Sequence, residues 1–484
     1  MQISLLSGGY ESRSVIASAQ RCVNLYPEVN QRETYMMMPQ LAGAPTIITH
    51  YPTPGLTKIA QGEALPVRGV YRASNDQVYV VIGPSVYSLN RSYQLTALGT
   101  IANNTNRVSM ADNGVYLVLV DGSPAGYTID LSTNTFADLV DPTGLFTGAD
   151  SVQYVDTFFV FNKRDSQAFY SSLSNSITFD PLYIANKTAY ADKLVNLVVA
   201  HREIWLLGER TTEVWYDAGA ADFPFAAVPG AFIQHGCAAK DSVCVAENTV
   251  FWLAKDQQGN AIALQGANYN AQRISTHSIE NEFQSYSRID DAVGHVHQVQ
   301  GHTFWVLSFP TADRTWVYDL ASNLWHERVY IDSSGVEHRA RTNVGTAAYG
   351  VYIVGDYENG NLYTYDINNY TDDGNPIKRL RSFPHVENEL KRVVYSKFIA
   401  DMQAGGTLDP TVTDLDVSLR WSDDRGVSFG NPVTQSLGGV GEGIKNIQWR
   451  RLGMARDRVF ELSWSSPVLT ALNGAYADIV PSAS

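Results

Sequence analysis

Ile204-Trp205-Leu206-Leu207-Gly208-Glu209-Arg210, followed by Val214-Trp215-Tyr216-Asp217, decides the fold. Two runs of β-branched and aromatic residues flank a Gly-containing turn, which is the pattern of a β-hairpin. The apolar–aromatic–apolar opening recurs as Val78-Tyr79-Val80, Val115-Tyr116-Leu117, Phe158-Phe159-Val160, Phe251-Trp252-Leu253, Phe304-Trp305-Val306 and Val351-Tyr352-Ile353. Successive aromatics lie between 37 and 53 residues apart. Most copies carry a second aromatic strand beyond the turn: Val86-Tyr87-Ser88-Leu89, Tyr127-Thr128-Ile129-Asp130, Phe169-Tyr170, Trp316-Val317-Tyr318-Asp319 and Leu362-Tyr363-Thr364-Tyr365-Asp366. The fifth copy is weaker, with Gly259-Asn260 leading to Ile262-Ala263-Leu264 and no aromatic. One hairpin per roughly 40–50 residues is the period of a β-propeller blade. A large β-sandwich also holds many hairpins, but it has no reason to keep such a period. The fold class is therefore all-β, with a six- or seven-bladed β-propeller and little helical periodicity.

The hairpin series occupies residues 61–370. Residues 1–60 lack it and are expected to supply a strand that helps close the propeller, because a repeat array must close its ends. The polar stretch Tyr370-Thr371-Asp372-Asp373-Gly374-Asn375-Pro376-Ile377 reads as a linker. Beyond it, residues 371–484 return to strands at 392–399, 415–421, 446–449 and 458–464, expected to form a sandwich- or barrel-like domain. Charge divides the same way. The chain has 35 Lys+Arg and 49 Asp+Glu, net −14; from residue 376 onward the balance is +1, leaving −15 on the first 375 residues.

Of the 484 residues, 44% are hydrophobic and 17% charged, which excludes a disordered polyampholyte and a coiled coil. Three cysteines, Cys22, Cys237 and Cys244, cannot build a disulfide framework and read as free thiols in a reducing compartment. The N-terminus shows no basic region or apolar core of a signal peptide, and no apolar run approaches the ~20 residues of a membrane helix. The expectation is a soluble protein with no membrane insertion.

Catalytic signatures are missing: no Gly-x-Ser-x-Gly elbow, no His-Glu-x-x-His, no phosphate loop, no Gly-x-Gly-x-x-Gly. A Cys237/Cys244 metal pair lacks a second ligand pair. His295 and His297 alternate along a strand near His302, but no carboxylate or cysteine is spaced to complete a metal shell. Ser422-Asp423-Asp424-Arg425-Gly426-Val427-Ser428-Phe429 fits the Asp-box pattern found in sialidase-type propellers. Its chemistry is that of a turn: Asp424 accepts backbone N–H bonds, Gly426 takes positive φ, and Phe429 is expected to pack beneath. Arg450-Arg451 with Arg456-Asp457-Arg458 forms a basic cluster, able to touch phosphate or an acidic protein rim, or simply to line a solvated strand edge. No catalytic, cofactor-binding or metal-binding residue is assigned and no cofactor is expected. Net acidity disfavours a sequence-specific DNA binder, whose affinity comes from cations that neutralise phosphates. A carbohydrate-binding or sialidase-like propeller is the main rival, on aromatic content and the Asp-box; an intracellular scaffold propeller is a third reading.

Several short stretches, in order along almost the whole chain, resemble the tail hub or nozzle protein of short-tailed, podovirus-like bacteriophages, also called the packaged-DNA stabilisation protein. They are Asn24-Leu25-Tyr26-Pro27-Glu28, Thr53-Pro54-Gly55-Leu56, Arg68-Gly69-Val70-Tyr71, Arg107-Val108-Ser109-Met110-Ala111, Gln234-His235-Gly236-Cys237-Ala238, Trp449-Arg450-Arg451-Leu452-Gly453 and Ser466-Pro467-Val468. The resemblance implies a non-enzymatic virion tail protein, made and assembled in the host bacterial cytoplasm. It implies a homo-hexamer below the portal and head-to-tail adaptor proteins. Such a ring extends the DNA channel, helps retain the packaged genome, anchors tailspikes or tail fibres, and holds a tail needle or plug. Double-stranded DNA passes through its lumen during ejection without sequence-specific binding.

Overall fold

The computed structural model describes residues 1–5, 9–30, 47–220, 222–404, 415–438 and 444–481. Two stretches of segment 1–60, 6–8 and 31–46, and three of 371–484, 405–414, 439–443 and 482–484, thus lie outside the described residues.

Every aromatic signature found in the sequence is the second strand of a four-stranded antiparallel sheet. Six such sheets are each made of four consecutive strands. The first runs Val67–Arg72, Val78–Ile82, Ser85–Leu89 and Leu95–Thr100; the fourth runs Leu194–Ala200, Glu203–Gly208, Thr212–Asp217 and Phe225–Ile233. The seventh sheet has only three consecutive strands, Thr342–Ala348, Val351–Asp356 and Asn361–Asp366. Its outer strand is Gly55–Gln61, arriving antiparallel from the N-terminal side with Asp366 opposite Gly55 and Asn361 opposite Gln61. That strand closes the ring. The first strands of neighbouring sheets pack on one another all the way round, from Val67–Arg72 back to Thr342–Ala348. The sheets are therefore blades with their first strands toward the axis.

Burial explains the sequence pattern. Val78–Ile82 and His302–Phe309 are buried at every position, because second strands pack between two neighbouring blades and carry apolar residues on both faces. Successive blades interleave through them: Trp205 and Trp252 share one inter-blade cluster, and Phe251 and Trp305 the next. Outer strands such as Thr135–Asp138 and Asn270–Arg273 are mostly exposed and polar. Gly55 is obligatory at the closing strand's start, since a Cβ there would lie 2.4 Å from the Asn369 carbonyl oxygen and 2.5 Å from that of Thr371.

A β-sandwich follows, and it is more than a C-terminal unit. One sheet places Leu25–Asn30, Ile47–Pro52, Thr470–Pro481, Val393–Ala404 and Ile444–Arg450 side by side. The other continues the sixth blade: Leu324–Glu327 pairs in parallel with Cys22–Val23, then come Arg379–Ser382, Asp457–Trp464, Asp416–Ser422 and Val433–Ser436. Between the sheets lie Leu25, Phe383, Phe398, Trp449, Phe460 and Trp464 among others. Among the described residues, the strands before residue 53 thus belong to the sandwich sheets, and Gly55–Gln61 completes a propeller blade. The physical reason is that Leu25 and Ile48 are needed to fill the sandwich core.

The junction between the two bodies is polar but paired. Arg21 reaches Glu327 with two bonds of 2.9 and 2.7 Å and Glu337 at 3.2 Å. Asn24 donates to the Val329 and Lys378 carbonyls at 3.0 and 2.8 Å and accepts from Val329 N–H at 3.0 Å. No described helix is long and apolar enough to cross a membrane.

Candidate functional site

A propeller's axis is where its blades converge, and here it is bridged by side chains. Arg107, just before the second blade's first strand, donates to the Asp241 carbonyl at 3.0 Å and to the Gly294 carbonyl at 2.7 Å. Asp241 precedes the fifth blade and Gly294 lies in the sixth, so one guanidinium spans the ring. Lys240 Nζ sits 2.8 Å from Asp150, before the third blade, and Asn196 of the fourth donates to the Lys240 carbonyl at 2.6 Å. Blades two through six are tied across the centre. Asp241 keeps a narrow opening to solvent, yet protein surrounds it closely enough that burial raises its pKa; Arg107 and Lys240 pull it back. The hole is therefore occupied by charged side chains and their carbonyl partners.

The histidines fall beside this axis. His295 and His297 alternate on the sixth blade's first strand, as their spacing requires, and are buried against the seventh. The Tyr365 hydroxyl lies 3.3 Å from His295 Nε2, and Arg328 lies 3.3 Å from His297 Nε2. Burial, reinforced by Arg107 and Arg328, drives His295 down to about 3. His302 is different: Asp319 accepts from its Nδ1 at 2.9 Å and raises its pKa against the opposing effect of burial. Cys237 and Cys244 have thiols pushed up by burial, to about 12 and about 11. Among the described residues, no three or more His, Cys, Asp or Glu are grouped to hold a metal ion.

The Asp-box is a hydrogen-bonded turn at the sandwich. Asp424 accepts from Ser422 Oγ at 2.6 Å, Ser428 N–H at 2.9 Å and Ser428 Oγ at 2.5 Å, which hold it down at about 2. Gly426 takes φ +93°, and a Cβ on it would come 2.3 Å from that of Ala19. Phe429 does not pack beneath: it is partly exposed under the Arg420 guanidinium, 4.8 Å away. The basic cluster also divides. Arg458 is buried, bonded to Asp423 at 2.6 and 2.9 Å and stacked on Tyr395, whereas Arg450, Arg451 and Arg456 are exposed.

Two cavities of a few hundred Å³ lie among the described residues. One of about 240 Å³ lies beside helix His277–Ser285, lined by Glu11, Arg21, Glu282, Trp316 and Glu327. Arg21 already occupies its carboxylates, and burial raises the Glu11 carboxyl. The other, about 340 Å³, is lined by Tyr26, Glu28, Tyr51, Gln300, Ile367 and Leu469. Neither holds a nucleophile with an adjacent base.

The axial group was missed in the sequence. Its signal was faint: charged residues two to four positions before a short inner strand, at Arg107, Asp150 and Lys240-Asp241.

A ring of blades with a bridged axis, fused through one continuous sheet to a sandwich, defines a two-part propeller–sandwich protein. The comparisons agree. Residues 1–370 match the family described as bacteriophage P22 Gp10, beta-propeller, and residues 378–480 match bacteriophage P22 Gp10, beta-sandwich. The chain belongs to the P22 Gp10 family and is a structural protein of a phage tail. A search of curated proteins finds no match. Among solved structures, the chain is similar to the WD40 beta propeller domain of Doa1, at TM-score 0.40 and 10% identity, covering 64% of this chain and 96% of that one.

Proposed function

We propose that six copies of this chain form a ring below the phage portal and its adaptor. The ring's common lumen carries the genome, and it helps retain packaged DNA until ejection. The observation that carries this reading is the bridged axis. With Arg107 spanning from the second blade to the fifth and sixth, a single propeller is no conduit, so a duplex must pass between copies. Six copies bring six times a net charge of −14 to that passage, a wall that repels phosphates and lets DNA slide without sticking. Retention then depends on a plug or needle held in the ring. Turns and loops between blade strands can diverge to seat tailspikes or fibres without disturbing the sheets.

Imaging of purified chain mixed with a portal–adaptor complex tests the reading. A six-fold ring docked beneath the portal is expected; a chain that stays monomeric and undocked overturns it. Tight binding of duplex DNA by the isolated ring at physiological salt overturns the repulsive wall.

A further inference from the structure

One end of the sandwich carries a cationic strip unlike the rest of this acidic molecule. In the sheet, Val393 pairs with Ala455 and Val394 with Met454, so Arg392 and Arg456 face each other at the next rung. Further along the same strand Lys397 pairs with Arg450, and Arg451 N–H bonds the Ser396 carbonyl at 2.9 Å. From residue 392 to 397 an extended strand covers about 16 Å. The four arginines Arg392, Arg450, Arg451 and Arg456 are all exposed. Arg450 contacts Gln448 and Arg456 the Leu390 carbonyl, but among the described residues no carboxylate pairs with any of the four. The two lysines nearby are satisfied, Lys391 by Glu389 and Lys397 by Asp478 at 3.0 Å. Exposed arginine forks without a carboxylate partner are suited to bidentate contact with carboxylates.

We infer that this strip is an interface, and that its partner is the acidic propeller of a second copy of this chain. The argument is charge complementarity within one sequence: the first 375 residues carry −15 and the remainder +1, with the free arginines gathered at one edge. In a head-to-tail ring, unlike surfaces of identical chains meet, so a cationic face on one copy can satisfy an anionic face on the next. This rests on the ring proposed above and names one of the surfaces that builds it.

The test is mass measurement of the full chain over a salt series, for wild type, for R392Q/R450Q/R451Q/R456Q and for the corresponding all-lysine variant, with circular dichroism to confirm folding. Wild type is expected to assemble, and to assemble less as salt rises. The glutamine variant should be at least about tenfold weaker, since several exposed ion pairs are lost together, and lysine, which keeps the charge but not the fork, should recover only part of the loss. A folded glutamine variant that assembles as well as wild type overturns the inference while leaving the ring reading intact. A wild type that never assembles removes the ring reading itself. If duplex DNA binds wild type and not the glutamine variant, with assembly unchanged in both, the strip serves phosphates and the inference is wrong. If the glutamine variant does not fold, single Arg450→Gln and Arg451→Gln variants replace it, each expected to weaken assembly measurably, and normal assembly of both overturns the inference.

Discussion

Replacing Arg107 by methionine isolates the axial bridge, because the stem is kept and only the guanidinium is lost. Two charge-assisted bonds disappear, at 3.0 Å to Asp241 and 2.7 Å to Gly294. Such bonds contribute about 1.5–3 kcal/mol each; taking the lower figure because Arg107 is only half-buried gives about 3 kcal/mol. A second effect depends on pH. Burial raises the Asp241 carboxyl, and Arg107 is the first of the cations opposing it. Without Arg107 the carboxyl rises further. A carboxyl whose folded pKa exceeds its unfolded value stabilises fully below the unfolded pKa, and that contribution is lost as pH rises through the folded pKa. The deficit of Arg107→Met relative to wild type should therefore grow as pH rises above the ordinary aspartate range, and Asp241→Asn in the same chain should flatten it. Urea unfolding followed by tryptophan fluorescence measures both. Hydrogen exchange along Val293–Val299 should rise as well, because Gly294 loses its cross-ring partner. A deficit below about 1 kcal/mol, or one that ignores pH, would refute the claim that the bridge holds the blades together.

His302→Gln should cost stability on the acid side only: Asp319 raises the imidazole pKa, so the contribution is full below its ordinary value and lost as pH rises through the folded one, which an NMR titration locates. Gly426→Ala should cost about 2 kcal/mol in thermal unfolding, from φ +93° and the approach to Ala19, and Ala19→Gly should restore part of it. Cys22 and Cys237 are buried with thiols raised to about 11 and about 12, so a thiol reagent should label them only after denaturation, and labelling of the native protein contradicts this.

The central hairpins were legible because each blade buries its second and third strands between neighbours, which forces apolar and aromatic residues into consecutive positions. The seven signatures at 79 through 352 all fall on second strands. First and fourth strands were not legible: several first strands are short or mixed in burial, and fourth strands are largely exposed. Cys244–Ala246 has three residues, and Thr135–Asp138 has none fully buried. The sharing of the N-terminal strands between two bodies was equally hidden, since Arg21 meets Glu327 across 306 positions of chain and no local pattern encodes that. The basic cluster shows the limit for surfaces. Arg458 and Arg456 are two residues apart and alike on paper, but Arg458 lies inside strand Asp457–Trp464 and stacks on Tyr395, whereas Arg456 sits at the bend before that strand and stays in solvent. Around Asp424 the turn followed from local chemistry, whereas the position of Phe429 depended on Arg420 from the adjoining strand.

The closing strand Gly55–Gln61 has a consequence for how the molecule is made. It leaves the ribosome early, yet its partner Asn361–Asp366 is synthesised some 300 residues later, and the sandwich waits for Thr470–Pro481. Early blades can form as they emerge, but their circle stays open and their terminal edges unpaired until residues 361–366 have been made. Truncated chains should accordingly be sticky intermediates, and the finished molecule should come apart in one concerted event, because the last pieces to arrive are the ones that lock the first.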